Sequence, residues 1–151
     1  MLLEALLAYA HIAAILGLVV FLTSEAALCR TEWMNAAVVN RLVRVDVLYV
    51  VAAVTVLATG IARTAWGMKG MPWYWAQPLL HAKLGLFVVI GLMSAMPTRA
   101  FLRWRRQLAA TGALPSEQEV KRARRWVMIE AHLLLLVPLL AAMLARGIGT
   151  R

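Results

Sequence analysis

Charge is scarce in this chain. Only 15% of its 151 residues are charged and 63% are hydrophobic, with a mean hydropathy of +0.76. Soluble domains carry about 25% charged and about 45–50% apolar residues, so a soluble enzyme and a disordered chain are both excluded. There is a single cysteine, Cys29. An intrachain disulfide, a CxxC pair and a thiolate metal cluster are therefore ruled out. The sequence also lacks a Ser-His-Asp arrangement, a phosphate-cradling glycine loop, an HExxH motif, internal repeats and low-complexity tracts. Acids are fewer than bases, 7 against 16, giving a formal net charge of +9.

Four long apolar runs fill the rest, at about residues 5–24, 47–66, 79–96 and 126–145. Each approaches the ~20 residues that a bilayer crossing needs. In lipid the backbone must satisfy its own hydrogen bonds, so the runs are helices. Stretches such as HLLLLVPLLAAMLA do not alternate as barrel strands do. The expected fold is an all-α integral membrane protein: one four-helix transmembrane domain over 1–151, packed as a left-handed antiparallel bundle. The first run has no basic segment before it, so it reads as a retained helix rather than a cleaved signal peptide.

Lys and Arg set the orientation. The first and third connections hold eleven of them and the opposite side holds four, among them Lys69 and Arg151. The bias predicts those connections on the cytoplasmic side and both termini on the opposite side of the membrane. The third connection predicts a basic amphipathic helix over 98–110, with Phe101, Leu102, Trp104 and Leu108 between the bases. Its partners are membrane lipids, not nucleic acid. Ser116 with Glu119 is a capping-box spacing that starts the next helix. Trp66, Trp73, Tyr74 and Trp75 suit the opposite membrane interface.

Polar residues inside the apolar runs are costly in lipid, so each needs a partner or a function. They form two layers. The cytoplasmic layer contains Glu25, Arg30, Arg44, Asp46 and Glu130, read as a buried charge cluster that neutralises itself, or alternatively as a proton or cation route. The outer layer contains His11, Arg63, His81 and Lys83. An imidazole within a spanning helix is a natural axial ligand for haem iron, and nearby cations suit propionates. His11 is the candidate iron ligand and His81 the candidate second one, with Lys83 and Arg63 on the propionates. His132 lies at the other depth and reads as a packed histidine. His81 and Lys83 are two residues apart and cannot share a helix face. Met68, Met71 and His81 offer a weaker alternative, a copper site. On the second run, Tyr49, Ala52, Val56, Thr59 and Arg63 form a stripe that should face other helices. Gly17, Gly60, Gly85 and Gly91 suggest close helix packing and a homo-oligomer.

The segments RVDVLYVVAAVTVLATGIAR, WGMKGMPWYW, HAKLGLFVVIGLMSAMPTRAFLRWRR and LARGIG resemble the domain-of-unknown-function family 2214 of small bacterial membrane proteins. That resemblance implies a multi-pass fold in the bacterial inner membrane, where the charge bias would put both termini in the periplasm, and carries no activity. More distantly, the chain is similar to HemJ-type protoporphyrinogen oxidases and to CopD-type copper-resistance membrane proteins. HemJ-type proteins carry a histidine early in the first span and a lysine early in the third. The resemblance therefore implies roles for His11 and Lys83, and haem b as the cofactor. The expected function is a b-type haem or porphyrin protein with a redox role. The alternatives are copper handling or transport, or an accessory membrane protein without a cofactor.

Overall fold

The computed structural model describes residues 2–66 and 70–146. Met68, Lys69, Arg151 and the second half of the LARGIG ending lie outside the described residues. The chain forms α1 (Leu2–Leu28), a 3-10 turn (Thr31–Trp33), α2 (Ala36–Trp66), α3 (Met71–Trp75), α4 (Pro78–Thr111), α5 (Glu117–Leu134) and α6 (Leu136–Ala145). Counting α5 and α6 as one interrupted helix, four helices are long and apolar enough to cross a membrane. Large side chains such as Tyr9, Val54, Leu92 and Leu139 stand exposed on their outer faces. That is the surface a bilayer covers.

The helix ends follow from local chemistry. Asn35 starts α2 by accepting the Val38 N–H on its side-chain oxygen. Arg124 reaches across from α5 and donates to the carbonyls of Ala26 and Cys29, which α1 leaves unpaired at its C-terminus. Gly112, at φ 70°, ends α4 and returns its N–H to Leu108 O. The capping box is formed: Ser116 Oγ accepts from Glu119 N, and the Glu119 carboxylate accepts from Ser116 N. Pro138 has no N–H and its ring displaces the carbonyl four residues earlier. The fourth span accordingly breaks at Leu135 into α5 and α6.

Two helices are longer than hydropathy alone predicts. α2 begins at Ala36 rather than near residue 47, and α4 runs without a break through Pro97 to Thr111. The basic connection is thus the end of α4 and the start of α5. Its apolar side turns inward rather than onto lipid. Phe101 and Trp104 are fully buried with Val120, Ala123 and Val127, and their basic neighbours face out.

Around the bundle α1 packs on α2, α2 on α4, and α4 on both α5 and α6. α1 also packs on α5. The dense core, built on Leu18, Leu22, Leu42 and Phe101, therefore sits at the hairpin end, towards the α4–α5 turn. The termini end is more open. Two cavities lie there, around His11 and Lys83; Gly85 and Gly91 are exposed on α4 and meet nothing within 4 Å.

Candidate functional site

The stripe on α2 faces the interior. Tyr49, Ala52 and Val56 are buried, and Thr59 meets His11 across the α1–α2 contact. His11 is itself buried at 5% exposure. Its Nδ1 lies 2.8 Å from Thr59 Oγ1. The Thr59 hydroxyl already donates to Thr55 O at 2.7 Å, with Val56 O at 3.2 Å. A hydroxyl has one hydrogen to give, so Thr59 accepts and the His11 Nδ1–H donates. This fixes the tautomer and leaves the lone pair on Nε2. The ring fits because position 60 is glycine. A Cβ there would stand 3.2 Å from His11 Cε1.

His11 lines a cleft of about 530 Å³ between α1, α2, α4 and α6. The size lies in the range that holds a small organic ligand. Leu18 and Leu134 form its apolar depth, and Arg63, Thr64 and Lys83 line it together with His11. A second cavity of about 330 Å³ shares His11, Gly60, Arg63, Thr64 and Lys83 and extends beneath Trp73 and Tyr74 of α3. The polar residues thus stand where an apolar cleft meets a vestibule at the termini end. Lys83 is half-buried, and among the described residues it makes neither an ion pair nor a hydrogen bond; Arg63 makes none either. Of the seven acids, Glu4 alone belongs to this end of the molecule.

His81 is elsewhere. It is exposed, its Nε2 donates to Trp75 O at 2.9 Å, and its ring packs edge-on against Trp75. It lines neither cavity, so the expected second ligand position is not at the cleft. It serves instead to hold α3 over the α4 start. His132 is bonded through Nδ1 to Met128 O one turn back. Among the described residues, no three His, Cys, Asp or Glu side chains converge as a metal-binding group. Met68 of the copper alternative lies outside the described residues, and Met71 is exposed.

The acidic cluster towards the α4–α5 turn is only half as expected. Glu25, Asp46 and Glu130 are buried, at 1%, 3% and 0% exposure. Thr98 donates to Asp46 Oδ1 at 2.8 Å, and Tyr49 donates to Glu130 Oε2 at 3.4 Å. The arginines are not there. Arg44 is exposed, and Arg30 is exposed over the Trp33 ring at 5.2 Å. Among the described residues the ion pairs are Arg103–Glu119 and Lys121–Glu117, both at the surface. Self-neutralisation by Arg30 and Arg44 is thus corrected. Glu25 Oε1 and Glu130 Oε1 are buried without a hydrogen-bond partner among the described residues. Sequence reasoning missed Tyr49, Thr98 and Arg124 as partners, and missed Thr59 and Gly60 as the seat of His11. The stripe spacing on α2 carries the signal for two of these, Tyr49 and Thr59.

A family model described as "Predicted membrane protein (DUF2214)" matches residues 3–149. The chain belongs to this family. No curated protein and no solved structure matches it. For this DUF2214 protein the membrane-spanning bundle is therefore established by family and fold together. What the cleft holds is argued from its own residues.

Proposed function

We propose that the protein binds haem b, or a porphyrin of the same shape, in the cleft, with a redox role. His11 Nε2 is the iron ligand, and Lys83, helped by Arg63, faces the propionates. One observation carries the reading. His11 gives its Nδ1–H to Thr59 and keeps a lone pair on Nε2, at a cleft where Lys83 has no ion-pair partner among the described residues. Metal-ligating histidines are held in this manner, with the far N–H donated to a fixed acceptor. The donor set fits the group. A flat apolar ring system suits the Leu18–Leu134 depth, and its acids suit the cations. Bound iron would supply one-electron exchange. The chain's own residues orient the ring, exclude water and fix the acid groups. The similarity of His11 and Lys83 to the HemJ-type pattern points the same way.

The location that goes with this reading is the bacterial inner membrane, with both termini periplasmic and the α4–α5 turn cytoplasmic. The exposed arginines at that turn support it. Reporter fusions after Ala110 and after Arg151 should report cytoplasm and periplasm respectively. For the ligand, the test is the absorption spectrum of protein produced with ample haem. A Soret band that co-purifies supports the proposal, and colourless protein contradicts it.

A further inference from the structure

The bundle is a ring with one open seam. α1 packs on α2, α2 on α4, and α4 on α6. In the hairpin half α1 closes the ring by packing on α5. Beyond the break at Leu135 the chain continues as α6, and α1 and α6 form no such packed pair. The cleft lies between them. Its rim is Ile12, Ile15 and Val19 on one side and Leu135 and Pro138 on the other. These residues line the cleft and are also exposed outward: Ile12 55%, Ile15 37% and Leu135 70%. At this depth the outward side is acyl chains, since the same helices are the membrane spans. The aqueous side is different. There α3 overhangs the vestibule, held by the His81–Trp75 hydrogen bond.

We propose that the α1–α6 seam is a lateral portal through which the cleft is loaded from the bilayer. Its ligand class is then a membrane-dissolved amphiphile with carboxylate groups, which reaches Lys83 and Arg63 without first crossing water. This rests on the proposed ligand reading for the identity of the probe, haem. Three features carry the portal independently of that identity: an apolar rim open to lipid, one unpacked helix pair, and positive charge without an ion-pair partner among the described residues at the end of the path. Pro138 maintains the seam, because it breaks the helix that would otherwise continue α5 alongside α1.

The test uses the full chain in phospholipid vesicles, with haem supplied from donor vesicles and the Soret band followed in time. Ile15→Trp and Leu135→Trp narrow the rim at lipid-facing positions. Each should slow loading by about tenfold, within the span over which association rates vary among variants of one site. Val89→Trp, exposed on α4 away from the cleft, should load at the wild-type rate. Rim variants that load as fast as wild type would overturn the portal, as would Tyr74→Ala accelerating loading through the vestibule. If wild type takes up no haem, the ligand reading fails and the portal is read another way. A dye on Phe87→Cys reports the cleft wall. Cys29 stays unlabelled, because burial pushes its thiol up to about 12. Nitroxide-bearing acyl chains should quench the dye, and Ile15→Trp should reduce the quenching. Quenching by aqueous iodide but not by the lipid nitroxide would contradict the portal.

Discussion

His11 stands directly on Gly60: a Cβ at position 60 would come within 3.2 Å of His11 Cε1. With alanine at 60, the ring must give by a few tenths of an ångström. Gly60→Ala should therefore separate stability from binding. Replacing a mid-helix glycine by alanine favours the helix by up to about 1 kcal/mol, so thermal stability should hold or rise. Haem retention should fall, because the ring shifts by a few tenths of an ångström from its bond to Thr59. Thermal unfolding and haem titration on the same preparation check both halves. Unchanged haem affinity would mean that the ring position does not matter.

Thr59→Val keeps the shape and removes the acceptor for His11 Nδ1–H. Loss of a buried donor's acceptor costs up to about 1–3 kcal/mol, and less here because the Val56 backbone also hydrogen-bonds the ring. Folded yield should drop accordingly. The ring should also lose its fixed orientation, weakening haem binding, while Thr59→Ser should restore it. A Thr59→Val protein with wild-type spectrum and stability would remove Thr59 from the site.

Arg44 and Arg103 are both exposed, but only Arg103 holds a carboxylate, Glu119 at 3.0 Å. Exposed ion pairs contribute about 0–1 kcal/mol. Neither Arg44→Ala nor Arg103→Ala should change folded yield by much, and Arg103→Ala should be the more sensitive of the two. A severe loss on removing Arg44 alone would restore it to the buried cluster.

Glu25 is 1% exposed, and its Oε1 has no hydrogen-bond partner among the described residues. An orphaned buried polar group costs about 1–3 kcal/mol. Glu25→Leu fills a similar volume and should stabilise the bundle by roughly that amount. Glu130→Leu should gain less, since it also strips the Tyr49 hydroxyl of its acceptor. Thermal unfolding of the two variants beside wild type gives the order. Destabilisation by Glu25→Leu would show that the carboxyl group does work in the core.

The four spans are legible in the sequence because hydropathy is a local property, and these runs are long. The starts of α2 and the end of α4 are not. Arg41, Arg44, Arg103 and Arg106 point outward from helices whose other faces are buried, and a linear reading of polarity takes such segments for connections. The buried acids are legible as residues in the wrong solvent, but their partners are not. Arg44 and Asp46 are two residues apart, so a helix turns them to opposite faces. Matching charge signs by depth could not reveal that. By the same rule, the two-residue separation of His81 and Lys83 does separate them, and only Lys83 lines the cleft. The pairing of His11 with Thr59 is a matter of how α1 seats on α2, which depends on Gly60 and is written in no single segment.

The most direct test of the account is the visible spectrum of wild type, His11→Ala and His132→Ala, each produced with ample haem and purified alike. His132 bonds its own helix at Met128 O, so it serves as the control. Wild type and His132→Ala should carry the same Soret band, and His11→Ala should lose it. A full band in His11→Ala, or none in wild type, would contradict the assignment of His11 as the ligand.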